Sequence, residues 1–245
     1  MDHSGDIDNV FAHYQERVSG FVFDDKVASV FDDMIRRSVP GYATVLGMVH
    51  VFAEHFAQPN SNCYDLGCSL GGGTIAMLRG IKQSGCKVIA IDNSPAMLAR
   101  CEQILQNEKS KTDVQLVEAD VADMTFENAS VVVCNYTLQF LDTTGREELI
   151  ERIYEGMLPG GVLILSEKIK FENTQEQEFF TDIYHDFKRL QGYSDLEISQ
   201  KRKALENVLV PDSTETHLQR LKNAGFSRIH QWFQCVNFVS FAAFK

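Results

Sequence analysis

Tyr64-Asp65-Leu66-Gly67-Cys68-Ser69-Leu70-Gly71-Gly72-Gly73-Thr74 sets the architecture by the order of its residue types. An apolar strand end runs into a glycine-rich turn, and the turn opens a helical pattern. Glycine at such a turn lets the backbone approach a ligand closely, as in dinucleotide-binding folds. Ser69 stands where the fingerprint of those folds has its middle glycine, which weakens a pyrophosphate reading. A plain strand–helix turn accounts for the same residues, so the assignment needs the later strands as well.

Downstream, Val88-Ile89-Ala90-Ile91-Asp92-Asn93-Ser94 ends a second strand on an acid. An acid at this place can accept both hydroxyls of a ribose; Asn93 or Ser94 can also simply cap the helix that starts near Pro95. Glu118-Ala119-Asp120-Val121 puts a carboxylate where an adenine amino group would be met, and Asn135 sits at the mouth of the fourth strand. Strands are predicted near 62–66, 87–91, 114–118, 131–135 and 161–166, with helices over 74–81, 95–105 and 147–157. Such alternation predicts an α/β fold, a Rossmann-like parallel sheet with helices on both faces. Its ligand is expected beyond the carboxyl ends of the strands, near the topological switch point.

Ahead of this core, Val27, Val30, Phe31, Met34 and Ile35 form a helical stripe. Val39-Pro40-Gly41 breaks it, and Tyr42, Val45, Leu46, Val49, Phe52 and Phe56 form a second. The expected organisation is a flexible stretch over 1–20, a helical cap over 21–60 and a ligand-binding core over 61–167. A helical lid or dimer-contact insertion follows over 168–212, and 213–245 supplies a helix, with Gly225 at its end, and the closing strands.

The 245 residues carry 34 acidic and 23 basic side chains, a net charge of −11. Binding to nucleic acid draws on Lys and Arg neutralising phosphates, so a small-molecule site suits this balance better. No apolar run approaches the roughly 20 residues of a membrane span. Met1-Asp2-His3-Ser4-Gly5-Asp6 lacks the basic and apolar regions of a signal peptide, so a cytoplasmic protein is expected. The 6 cysteines are scattered without a CxxC pair, which predicts neither a disulfide framework nor a metal site.

The strand-end constellation resembles the class I S-adenosylmethionine-dependent methyltransferase family, including Leu158-Pro159-Gly160-Gly161 before the fifth strand. The resemblance implies a seven-stranded sheet whose last strand is antiparallel. Asn135-Tyr136-Thr137-Leu138 lacks the Pro-Pro-aromatic run of enzymes that methylate exocyclic amines, so base methylation is disfavoured. Segments outside the common core are more specific. Arg37-Ser38-Val39-Pro40-Gly41-Tyr42, Asn135-Tyr136-Thr137-Leu138-Gln139-Phe140, His185-Asp186-Phe187-Lys188-Arg189, Glu197-Ile198-Ser199-Gln200-Lys201-Arg202 and Trp232-Phe233-Gln234-Cys235 resemble the carboxy-S-adenosylmethionine synthase family. The likeness runs from residue 21 onward.

That resemblance implies conversion of prephenate and S-adenosyl-L-methionine to carboxy-S-adenosyl-L-methionine, phenylpyruvate and water. The product supplies the carboxymethyl group that a separate tRNA-modifying enzyme uses to make 5-oxyacetyl uridine at the wobble position. It also implies a homodimer. By the same resemblance the nucleoside is held by Tyr42, Gly67, Cys68, Ser69, Asp92, Asn93, Asp120, Val121 and Asn135, and Arg202 grips the new carboxylate. A guanidinium is unfavourable beside a cationic sulfonium methyl, yet pairs bidentately with a carboxymethyl group. The family mechanism has the hydroxide leaving prephenate act as base, so no protein general base is assigned. Without the family, Lys201-Arg202-Lys203 reads as a solvated basic helix face. Arg36, Arg37 and Lys188 could attract a dicarboxylate such as prephenate, with solvated surface as the plainer reading; His185 and Tyr184 read as packing or surface hydrogen bonding on a lid helix rather than substrate contact, and Trp232 and Phe233 as strand core. Two alternatives stay open: an ordinary small-molecule methyltransferase, which predicts little dependence on Arg202, and a non-catalytic nucleoside-binding scaffold, which predicts binding without turnover.

Overall fold

The computed structural model describes residues 7–245; the segment read for a signal peptide, 1–6, lies outside them. The chain runs α1 (Asp25–Ser38), α2 (Tyr42–Phe56), β1 (Asn62–Leu66), α3 (Gly72–Gly80), β2 (Lys87–Asp92), α4 (Pro95–Leu105), β3 (Asp113–Glu118) and β4 (Ala129–Asn135). It continues with α5 (Arg146–Gly156), β5 (Met157–Lys168), α6 (Thr174–Leu190), α7 (Asp195–Leu205), α8 (Thr214–Asn223), β6 (Arg228–Cys235) and β7 (Phe238–Phe244).

Local chemistry sets the helix starts. Asp24 and Ser94 accept the Val27 and Met97 N–H groups, and Pro95 follows Ser94 at the first helical position. Ser194 and Glu197 form a reciprocal capping box at the start of α7. The sheet has the order β3-β2-β1-β4-β5-β7-β6. It is parallel from β3 to β5, and β7 runs antiparallel to both its neighbours. Because β1 lies between β2 and β4, the strand order reverses there and opens a crevice at the carboxyl ends.

Val131, Val132 and Val133 of β4 are all fully buried, as a parallel strand covered on both faces requires. Alternate side chains serve opposite layers. Val132 and Cys134 meet Leu149, Ile150 and Ile153 of α5 and Leu221 of α8. Val131 and Val133 meet Val49 and Ala53 of α2 and Met77 and Leu78 of α3. So α2, expected as part of a cap, is a layer of the main sandwich, while α1 leans on α4 and the cavity. The α2 stripe carries Val45, Val49 and Ala53 at zero exposure, and each such Val contributes about 1.5–3 kcal/mol on burial.

The stretch before α1, expected to be loose, has anchors over its described part. Phe11 is buried, the Tyr193 hydroxyl donates to Asp8 Oδ2 at 2.5 Å, and the Gln15 N–H donates to Gln200 Oε1 at 2.6 Å. These partners lie on and before α7, far away in sequence, so local composition carries no trace of them.

Candidate functional site

The crevice beyond β1 and β4 is a cavity of about 510 Å³, within the usual range for small-molecule sites. Gly67 holds a φ of +71° and Gly71 one of +83°, which turns the chain sharply from β1 into α3. The Gly67 and Cys68 N–H groups both donate to Ile91 O at 2.9 Å, tying the turn to β2. Asp92 completes the tie: Oδ2 accepts the Ser69 N–H at 2.8 Å and Oδ1 the Ser94 N–H at 2.9 Å. Burial holds the Asp92 carboxyl above its ordinary pKa, and these N–H donors work against that rise. Asp65, buried beneath the turn, accepts the Thr74 hydroxyl at 2.7 Å, and burial pushes its pKa up to about 6.

A β-carbon on Gly67 would overlap the Thr137 hydroxyl and come within 2.7 Å of its Cγ2. Thr137 donates to Leu66 O at 2.7 Å, so it cannot turn away freely. Gly67→Ala is therefore expected to cost about 2 kcal/mol of stability, from left-handed backbone and a disturbed hydrogen bond. It should also weaken nucleoside affinity; urea denaturation and titration calorimetry on one preparation check both.

Past β4, Tyr136 takes a φ of +59° and its N–H donates to Ser166 O at 2.6 Å. The fully buried Glu167 carboxylate receives the Leu138 N–H at 2.9 Å and the Gln139 N–H at 3.0 Å. Burial holds Glu167 up to about pKa 8. This clamp fixes the turn that carries Asn135 and Tyr136 into the cavity. Both side-chain polar atoms of Asn135 and the Tyr136 hydroxyl are buried without a partner. Buried polar groups are normally satisfied, so these orphans fit a polar ligand such as a nucleoside with its amino-acid tail.

The structure brings Tyr42, Gly67, Cys68, Ser69, Asp92, Asn93, Asp120, Val121 and Asn135 onto this one wall. Asp120 also accepts the Ala122 N–H at 2.9 Å, shaping the turn after β3. The Cys68 thiol is pushed far up by its hydrogen bond with Cys101 and by burial, which removes thiolate chemistry. Burial, then the charge of Asp65, does the same for the Tyr42 hydroxyl.

Arg202 departs from the expectation: it lies on the exposed face of α7, outside the cavity lining. One helical step of about 100° separates it from Lys201, and Lys201 is the residue turned inward and buried. Burial, and then the charge of Arg202, lower the Lys168 pKa to about 8. Lys188 also departs from its surface reading, since it is buried in the wall beside buried Lys201 and half-buried Lys168 and Tyr184. Sequence reasoning passed over Lys168, although it ends the fifth strand as Asp92 ends the second.

Burial pushes Lys188 down to about pKa 7, helped by the charges of Lys201 and Lys168; Asp8 and Glu197 oppose the shift. Its folded value lies below the unfolded one, so between them the unfolded chain binds more protons and stability rises with pH. The stability difference between wild type and Lys188→Met should thus change with pH from about 7 to 10, by up to about 1.4 kcal/mol per unit in favour of wild type. Paired urea melts across that range check this; a flat difference would contradict it.

The sheet order and strand-end cavity define a class I S-adenosylmethionine-dependent methyltransferase fold. A family model described as a methyltransferase domain matches residues 64–161. The chain is 52% identical over 245 residues to the carboxy-S-adenosyl-L-methionine synthase of Vibrio parahaemolyticus serotype O3:K6, covering 100% of both chains. To the synthase of that name from Vibrio cholerae it is 53% identical over 97% of each chain. The chain belongs to the carboxy-S-adenosyl-L-methionine synthase family. Among solved structures, an S-adenosyl-L-methionine-dependent methyltransferase from Methanococcus maripaludis superposes with a TM-score of 0.58 at 21% identity, over 95% of this chain and 97% of that one. Human N-acetylserotonin methyltransferase, solved with SAM, gives 0.60 at 16% identity over 90% and 55%. Both share the fold.

Proposed function

We propose that this protein converts S-adenosyl-L-methionine and prephenate to carboxy-S-adenosyl-L-methionine, phenylpyruvate and water. The product then serves a separate enzyme that carboxymethylates wobble uridine in tRNA. The observation that carries this reading is identity of 52–53% to synthases of that name along essentially the whole chain. The stoichiometry closes: prephenate differs from phenylpyruvate by one carbon dioxide and one water, and carbon dioxide replaces one methyl proton of the other substrate.

S-Adenosyl-L-methionine supplies, when bound, a methyl group acidified by the adjacent sulfonium. Asp92 accepts the ribose hydroxyls, Asp120 and Val121 meet the adenine, and Tyr42, Gly67, Cys68, Ser69, Asn93 and Asn135 complete the grip. Tyr42 and Cys68 stay protonated because burial and their neighbours hold their pKa values high. They suit a wall that excludes water and aligns two substrates, with the base coming from prephenate itself. The family likeness assigns the new carboxylate to Arg202, which in this single chain lies on the exposed face of α7 outside the cavity lining. The same reading makes the protein a cytoplasmic homodimer, and exposed Phe179, Ile183 and Leu190 on α6 support a contact there. Among the described residues no helix is long and apolar enough to cross a membrane.

Mass spectrometry of small molecules released by denaturing protein purified without added ligand tests the reaction. A nucleoside heavier than S-adenosyl-L-methionine by one carbon dioxide is expected. Only the parent or S-adenosylhomocysteine, with no heavier product after prephenate is added, would leave an ordinary methyltransferase. Arg202→Ala should bind S-adenosyl-L-methionine within about twofold of wild type and carboxy-S-adenosyl-L-methionine at least about tenfold more weakly, the worth of one charged hydrogen bond. Equal losses for both ligands would remove Arg202 from that role.

A further inference from the structure

Three lysines converge on the lid end of the cavity: Lys168 from the end of β5, Lys188 from α6 and Lys201 from α7. Lys201 is compensated within the fold, with Nζ 3.6 Å from Asp8 Oδ2 and donating to Ser38 Oγ at 3.0 Å. Lys168 and Lys188 are not. Among the described residues, neither ammonium donates a hydrogen bond or lies in an ion pair, although the more distant charges of Asp8 and Glu197 act on Lys188; their near companions are aromatic rings. Lys168 Nζ lies 4.7 Å from the centre of the Tyr184 ring, and Lys188 Nζ lies 5.7 Å from that ring and 5.2 Å from Tyr193. Lys188 is only 5% exposed.

A buried cation without a counter-charge is unfavourable, and two on one wall repel each other. Arg202 adds to the positive field at this end, and burial together with the surrounding cations holds His185 below its ordinary pKa, in its neutral form, in a chain whose net charge is −11. An S-adenosyl ligand does not offset the excess, because its sulfonium is a cation and its one carboxylate is matched by its own ammonium. The arrangement calls for a further anion, and two uncompensated ammonium groups match two carboxylates.

We propose that Lys168 and Lys188 form a dicarboxylate subsite for the second substrate, one ammonium to each carboxylate, with the Tyr184 ring between them. This rests on the reaction proposed above and names the contacts that hold its acid substrate. Burial and neighbouring cations already hold Lys168 near pKa 8 and Lys188 near pKa 7; a bound dianion would draw both back to the charged form. The subsite also gives the reaction a direction of release. Prephenate enters with two carboxylates and phenylpyruvate leaves with one, so turnover deletes one of the two pairings.

The test is titration calorimetry of prephenate into protein loaded with S-adenosylhomocysteine, which carries no methyl group to react. Lys188→Met and Lys168→Met are each expected to raise the prephenate Kd tenfold or more while leaving the S-adenosylhomocysteine Kd within twofold. Phenylpyruvate should bind wild type at least tenfold more weakly than prephenate. Removing an unpaired buried cation should leave the Tm unchanged or higher; if Lys168→Met fails to fold, Lys188→Met decides. An unchanged prephenate Kd, or no binding to wild type, overturns the subsite. A loss of S-adenosylhomocysteine affinity as large as that for prephenate also overturns it, because the lysines would then serve the cofactor's own carboxylate. Lysine-dependent binding without any carboxylated product from wild type would uphold the subsite and sink the reaction.

Discussion

Arg146→Met is expected to cost about 3–5 kcal/mol of folding stability, the range for removing one partner of a buried ion pair. Arg146 is 1% exposed, and each of its three side-chain nitrogens donates a hydrogen bond. Nη1 donates to Asp212 Oδ2 at 2.8 Å, and Nη2 to Leu141 O at 3.0 Å and Gln139 O at 3.2 Å. Asp212 also accepts from Arg220 at 2.9 Å. Burial alone would raise the Asp212 pKa, but the Arg146 hydrogen bond and the Arg220 charge outweigh it and hold the carboxyl below its usual range. Methionine fills much of the volume yet strands two carbonyls and half of the Asp212 pairing. Gln139 and Leu141 line the cavity, so the variant should lose ligand affinity along with stability. Urea denaturation of Arg146→Met, Asp212→Asn and the double variant measures the coupling. The double variant should be more stable than the sum of the two losses predicts, and a loss under about 1 kcal/mol for Arg146→Met would show that this network is not what holds the wall.

The sheet and its helices were readable because local patterns and tertiary burial agree. β4 is three valines deep, and Ser94-Pro95 starts α4 by the same chemistry that marks it in the sequence. The strand-end residues Asp92, Asp120 and Asn135 were equally visible, since a parallel sheet delivers every strand's carboxyl end to one edge. What escaped depends on helix phase and on distant partners. Arg202 and Lys201 are neighbours in sequence, and only the docking of α7 decides which of them turns inward. Lys188 sits in a run of charged residues that suggests solvent, but Tyr184 and Tyr193 close around it. Asp8 finds Tyr193 and Lys201 nearly the full length of the chain away, and no window of sequence joins them.

Asp92→Ala should weaken binding of S-adenosylhomocysteine by a hundredfold or more, about 3 kcal/mol, because two charge-assisted ribose contacts go at once. An ionised carboxylate offers about four acceptor sites. The Ser69 and Ser94 N–H groups occupy one on each oxygen, which leaves one on each for the two ribose hydroxyls. In the proposed binding mode the same residue builds the turn and grips the ligand, and the substitution costs stability as well: two N–H groups in a largely buried site lose their acceptor, about 1–3 kcal/mol apiece. Asp92→Asn separates the roles. Its amide oxygen keeps one N–H acceptor, while its NH₂ group faces the other N–H donor and one ribose hydroxyl, so it should bind more weakly than wild type and fold better than the alanine variant. Acid should mimic the substitution. Burial raises the Asp92 pKa in the empty protein, and hydroxyl donors favour the ionised form, so wild-type affinity should fall as pH drops through that raised value. Asp92→Asn should lose this component of the pH dependence. Calorimetric titration of wild type and both variants at pH 7.5 and 5 reads the three effects together, and Asp92→Ala binding within fivefold of wild type would mean that the ribose sits elsewhere in the cavity.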